Sequence, residues 1–437
     1  MSSGQKHLKD ATSVISRRDF LAGLAALGLV GQYQSTALAA SIDAAQREGR
    51  AIVVIQLNGG NDGLNTIIPY GTGAYYDARP KIGIKQADVL AINEAVGFHP
   101  ALREFSDFYK DGSLAVVQGV GYAEPNRSHF RSIEIWQTAR PDIIGDTGWL
   151  GRYLDYLSIS KKDVSAEKLF DARGFKAEGD KSKLSMLAVN VDPLLPRSLL
   201  AEKVTVPSVS DVQAFRFKVD PLYQSDRTLQ LEAFDDIYKN FNDDRALVGK
   251  LRVSGIEANR ASERLMDLVK QHKTTVKYPD GKLASSLKFI AQMVAGGIGA
   301  KVYTLGYDGF DTHAGELRAQ TSLLSNLGKS LKAFREDLKA HDADDKVLVL
   351  VFSEFGRRVA ENGAVGTDHG TAAPCFVLGG GVKGGLYGAQ PSLTSLDHGD
   401  LKHEVDFRTV YATIIDRWLG ADSGEILGKK FEHLEFC

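Results

Sequence analysis

The run Ala51-Ile52-Val53-Val54-Ile55-Gln56-Leu57, with the turn Asn58-Gly59-Gly60-Asn61-Asp62-Gly63 after it, decides how this 437-residue chain is read. A continuous apolar run rich in β-branched residues suits a strand buried on both faces, the kind found in parallel sheets. Similar runs occupy 114–120, 301–305, 347–352 and 375–378. Between them lie helical patterns at 99–110, 131–139, 283–298, 321–340 and 407–419, the first with Pro100 near its start. Strands alternating with helices predict an α/β protein of three layers around a mostly parallel sheet.

Composition narrows the function. The chain holds 53 Lys+Arg against 55 Asp+Glu, a formal charge of -2, so no basic field is available for nucleic acid. Its two cysteines, Cys375 and Cys437, exclude a disulfide-stapled scaffold and a four-cysteine zinc module, and allow one bridge. No internal repeat is visible. The stretch 157–282 differs from its surroundings: it is rich in Lys and Asp, carries a Pro-bearing run at 192–207, and then shows a long polar helical pattern at 229–272. It reads as a cap or insertion within a single domain spanning 40–437, rather than as a separate domain.

The N-terminus reads as an address. Arg17-Arg18 with Phe20-Leu21, an apolar run at 21–31 and the small-residue pattern Ala37-Leu38-Ala39 follow the order of a cleaved export signal over residues 1–39. The arginine pair resembles a twin-arginine signal, which implies the twin-arginine export machinery as a partner and a periplasmic or extracellular location. That segment carries a net +2, so a chain starting near Ala40 would carry -4. No later run approaches the ~18 apolar residues needed to span a bilayer, so no transmembrane segment is expected in the mature chain.

The polar residues fall at the ends of the predicted strands, where open parallel sheets place ligands. Asp62 follows the first strand, and Asn126-Arg127-Ser128-His129 follows the second and leads into a helix. Asp311-Thr312-His313 follows the third, Glu354-Phe355-Gly356-Arg357 the fourth, and Thr367-Asp368-His369-Gly370 precedes the fifth. Carboxylates and neutral imidazoles gathered in this way suit a divalent cation, and Asp311 and His313, two apart, would point together if extended. Ser128 at a helix N-terminus lies where backbone N–H groups favour an anion, and a metal beside its hydroxyl would make it a nucleophile. Each residue also has a plainer use. Asp62 could serve the turn, Ser128 could cap its helix, Asp368 and His369 could form a hydrogen-bonded pair, and Glu354 could pair with Arg357. Gly328-Lys329-Ser330 lacks the upstream glycine of a phosphate loop, the six glycines within 379–388 suit turns between short strands, and Ser353 lacks the flanking glycines of a hydrolase elbow.

The blocks Gln56–Asn65, Asn126–His129, Gly309–His313, Phe352–Arg357 and Thr367–Thr371 resemble the exported bacterial proteins of the DUF1501 family, and more distantly the alkaline phosphatase and sulfatase superfamily. The distant resemblance implies an alkaline phosphatase-like fold. It implies Ser128 as nucleophile, and Asp62, Asp311, His313, Glu354 and His369 as ligands of one or two ions of Zn, Mn or Ca. His129 or Arg357 would orient the anion. Phe355 stands where a second histidine ligand would be expected, and the Cys/Ser-x-Pro-x-Arg signature of sulfatases is absent around Ser128. The expected activity is therefore metal-dependent hydrolysis of small anionic esters, phosphate-type before sulfate. The alternative is an envelope protein of the same fold that binds a ligand or partner without turnover.

Overall fold

A computed structural model describes residues 49–160, 186–204, 206–209, 226–240, 265, 267–269 and 271–437. The expected signal at 1–39 lies outside the described residues, as does most of the expected cap at 157–282.

Eleven strands occur among the described residues. β1 (Ala51–Asn58) is followed by β2 (Ile67–Ile68), β3 (Leu90–Ala91) and β4 (Gly97–Phe98), which make a small antiparallel sheet of their own. The central sheet contains β1, β5 (Leu114–Gly121), β6 (Ala188–Asn190), β7 (Val302–Asp308), β8 (Val347–Ser353), β9 (Ala373–Leu378), β10 (Gly385–Tyr387) and β11 (Val405–Asp406). Its order is β10-β5-β9-β8-β1-β7-β6, with β11 also on β5. Every pairing is parallel except those of β9, which runs against both β5 and β8.

The period-2 alternation of the strands feeds two cores. Val53, Ile55 and Leu57 of β1, with Val349 and Val351 of β8, face one side. There they meet α2 (Arg103–Lys110), α6 (Lys282–Ala295) and α7 (Glu316–Ala340). Ile52, Val54, Leu348 and Leu350 face the other, against α3 (His129–Thr138), α4 (Trp149–Ser160) and α8 (Phe407–Thr413). The remaining described helices are α1 (Gly73–Ala78), α5 (Arg227–Asn240) and α9 (Ser423–Leu427). This is the three-layer α/β architecture with a mostly parallel sheet that the strand and helix pattern predicts. No helix among the described residues is long and apolar enough to cross a membrane.

Two expectations are adjusted. The helix predicted from His99 begins at Arg103, because His99 Nδ1 takes the Ala101 N–H and closes a turn ahead of it. The pattern at 407–419 is α-helical only to Thr413 and then passes into a π turn over Ile414–Leu419. Cys375 and Cys437 are free thiols, so no bridge joins them.

Candidate functional site

Parallel pairing brings the carboxyl ends of β1, β7 and β8 together: Asn58 lies opposite Asp308, and Leu57 opposite Ser353. Glu354, one residue past β8, is fully buried there. Its Oε1 accepts from the Gly59 N–H at 2.9 Å and lies 2.8 Å from His129 Nδ1, while Oε2 accepts from Ser353 Oγ at 3.1 Å. Gly59 is required in this turn. Its φ is +119°, and a Cβ would stand 2.3 Å from the backbone nitrogen of Asp311.

The partners of the three Nδ1 atoms fit one tautomer throughout, with the proton on Nδ1. A carboxylate only accepts, so His129 Nδ1 carries the proton it gives to Glu354, and Nε2 is left with a lone pair. His313 repeats the arrangement with Nδ1 3.2 Å from Asp368 Oδ1, and His369 with Nδ1 2.9 Å from the Arg127 carbonyl. The three Nε2 atoms then converge on one carboxylate. His313 Nε2 and His369 Nε2 lie 3.1 and 3.2 Å from Asp311 Oδ1 and 2.9 Å from each other, and His129 Nε2 lies 3.6 Å from Oδ2. The donor atoms of His129, Asp311 and His369 fall within 4.8 Å of one another. His129 Nε2 is buried without a hydrogen-bond partner.

Lone pairs facing a carboxylate oxygen at these distances repel unless positive charge lies between them. Partial burial opposes ionisation of Asp311, yet the Arg357 guanidinium bonded to it holds it at about 2. The hydrogen bond to Glu354 raises the pKa of His129, aided by the charge of Asp311 and against the cost of burial. Burial lowers that of His369, which favours its neutral form. A negative oxygen is thus held open beside nitrogens with their second position fixed, the arrangement in which histidines hold metals.

Not every expected ligand reaches this point. Asp62 is buried, and both of its oxygens are bonded to the Arg79 guanidinium, with Oδ1 also taking the Leu64 N–H. Glu354 orients His129 and has its oxygens occupied by protein donors. Arg357 is not free to receive an anion. It is buried and bonds the carbonyls of Gly59, Gly60, Thr367 and Phe310 as well as Asp311. Ser128 does occupy the N-cap of α3, but its hydroxyl makes no capping bond, and it is exposed between Arg127 and His129, both of which touch the cluster. Phe355 is buried and packs its ring 4.9 Å from that of His129 and 4.8 Å from that of His369. It forms a wall behind the donors.

Residues not expected among the ligands act mainly through others. Asp368 holds His313 rather than its neighbour His369, and Asn362 braces Asp368 at 3.1 Å. Nothing in the sequence around Arg79 marks it as the partner of Asp62. A cavity of about 340 Å³ opens beside the cluster, lined by Tyr122, Asn126, Phe355, Asp397, Lys402 and His403 among others.

An α/β fold with a histidine and carboxylate cluster at the carboxyl edge of its sheet is the class these observations define. Residues 239–430 match the family described as Protein of unknown function (DUF1501), which bears out the resemblance carried by the sequence blocks. The matched stretch contains Asp311, His313, Glu354, Arg357, Asp368 and His369, while Ser128 and His129 precede it. No curated protein matches the chain. Solved structures similar to it include a lipoteichoic acid synthase from Listeria monocytogenes, 9% identical over 87% of this chain and 76% of that one, with a TM-score of 0.33. Another is a sulfatase from Pseudoalteromonas sp., 14% identical over 93% and 75%, with a TM-score of 0.36.

Proposed function

We propose that the protein is an exported, metal-dependent hydrolase of phosphate-type esters. The observation that carries this reading is the convergence of three imidazole Nε2 atoms on Asp311, with every Nδ1 already facing a partner elsewhere. The orphaned Nε2 of His129 and the mixed nitrogen and oxygen donors fit a divalent ion. His129, Asp311, His313 and His369 would hold it. Three nitrogen donors favour Zn or Mn over Ca, which prefers six to eight oxygens. Such an ion would polarise an ester oxygen and favour the ionised form of a hydroxyl placed next to it.

The chain supplies the rest. Ser128 offers its unengaged hydroxyl at the start of α3, where free N–H groups and the helix dipole favour the anionic ester. Its oxygen would bond to phosphorus as the bond to the ester oxygen breaks, the hydroxyl proton passing to solvent and the departing alkoxide taking one from it; water would then attack phosphorus, breaking the Ser128 O–P bond and releasing phosphate. Glu354, Asp368 and the Arg127 carbonyl fix the imidazoles, and Arg357 fixes Asp311. The neighbouring cavity would receive the alcohol part of the substrate, with Lys402 at its rim.

Metal analysis of the purified protein, with a panel of phosphate and sulfate esters, tests this reading. Bound metal with turnover of phosphate esters that Ser128→Ala abolishes is the expected result. Metal-free protein inactive with added Zn, Mn, Ca and Mg overturns it. Metal binding without turnover would favour the ligand-binding alternative.

A further inference from the structure

A second histidine and aspartate cluster lies at the other end of α7. Asp337 sits in the last turns of that helix, and His341, four residues on, closes it. That spacing places both on one face. His272 reaches them from the segment leading into α6. The candidate site lies near Glu316 at the start of the same helix, where Glu316 takes the Thr367 hydroxyl two residues before His369. At 1.5 Å per residue the two ends stand about 30 Å apart.

The cluster is buried and incompletely bonded. Asp337 is fully buried, and the side chain of His272 is 2% exposed. Tyr278 donates to Asp337 Oδ2 at 2.9 Å and fixes the carboxylate plane. Oδ1 has no hydrogen-bond partner, and neither has His272 Nε2. These two orphans face each other at 3.5 Å, and His341 Nδ1 lies 3.4 Å from the same oxygen. Such separations are long for hydrogen bonds, but they match the ligand-to-ligand edge of about 3.3 Å around a tetrahedral ion with ~2.0 Å bonds. One nitrogen or oxygen from each residue lies within 4.8 Å of the others. The position at a helix C-terminus favours positive charge independently.

We infer that His272, Asp337 and His341 form a second divalent-cation site, distinct from the strand-end cluster, which ties the chain entering α6 to the end of α7. Two imidazoles and one carboxylate suit a borderline transition ion such as zinc, with water in the remaining position. Uptake exchanges one hydrogen bond, from His341 Nδ1 to the Asp337 carbonyl at 2.8 Å, for coordination. Tyr278 acts as the orienting partner of the carboxylate, as outer hydrogen bonds do in metal centres. The site does not depend on the catalytic reading and would persist if that reading failed.

The probe is cobalt(II), titrated into the full chain and followed by its visible absorption. In a His313→Ala/His369→Ala background, one tightly bound cobalt is expected. Adding His341→Gln removes a ligand and should weaken its binding by at least the ~10- to 100-fold typical of disturbing an outer partner, and adding His272→Gln should weaken it further. His341 is the decisive position, because its side chain is 28% exposed at a helix end and its replacement leaves the core intact. Absence of cobalt binding in a folded background, or affinity unchanged by His341→Gln, overturns the inference. Should the background variant fail to fold, the same titration is made on the unmutated chain. There, loss of one bound cobalt with His341→Gln supports the site, and unchanged stoichiometry and affinity overturn it.

Discussion

Asp62 and Asp311 follow neighbouring parallel strands, and each is bonded to an arginine, yet they have opposite fates. Asp62 is enclosed: Arg79 takes both of its oxygens and is itself buried, bonding the carbonyls of Val359 and Arg358. Asp311 is half exposed, and Arg357 bonds only Oδ1, leaving Oδ2 facing His129 Nε2. One carboxylate has both oxygens taken by its arginine, and the other keeps one oxygen open to whatever faces it. The difference lies in the guanidinium geometry. Arg79 spends two nitrogens on Asp62, whereas Arg357 spends most of its donors on four carbonyls.

That contrast predicts what substitution should do at each place. Arg79→Ala should cost the most stability, ~3–5 kcal/mol in urea unfolding, because it strands the buried charge of Asp62. A loss below ~1 kcal/mol would show that Asp62 is not dependent on Arg79. His369→Ala should do the reverse, changing metal-free stability little while lowering metal content to background in elemental analysis. Retained metal would remove His369 from the donor set. Asp368→Ala acts one step out, through His313, and should weaken metal binding ~10- to 100-fold in a competition titration.

The smallest effect concerns pH. Burial and the nearby Asp62 charge raise Glu316 from 4.5 to about 9, so it stays protonated in the folded chain at neutral pH. A carboxyl with a raised folded pKa contributes stability that is fully present below 4.5 and lost as pH rises through about 9. Glu316→Gln should therefore flatten the fall in melting temperature over that window, and an unchanged slope would place the loss elsewhere.

The long strands were legible because burial on both faces leaves an unbroken apolar run, as in β1 and β8. The antiparallel direction of β9 was not legible: direction is fixed by pairing, and 375–378 would read alike either way. Strands of two or three residues, such as β2 and β11, are too short to show a period. At the site, the meeting of Asp311, His313 and His369 could be anticipated from strand ends. The separation of the clustered donors from the groups that hold them could not. Glu354 turns to His129 instead of facing the cluster, because a carboxylate with no solvent contact is readily satisfied by Gly59, Ser353 and an imidazole N–H. The suspected pairs also changed partners, with Asp368 on His313 and Arg357 on Asp311. Each pair joins residues distant in the chain, so local spacing carried no signal.

The direction of β9 has a consequence for the order of assembly. β5 reaches the centre of the sheet only through β9, which lies between it and β8. Ser128 and His129 follow β5, whereas Asp311 and His313 follow β7, so the two halves of the cluster meet once a strand made more than two hundred residues later has been inserted. His369, on the loop that enters β9, arrives with that strand and bonds back to Arg127. Closing so long a loop is slow. Completion of the cluster at this edge thus reports completion of the central sheet, and a nascent chain that stops before β9 holds only half of it.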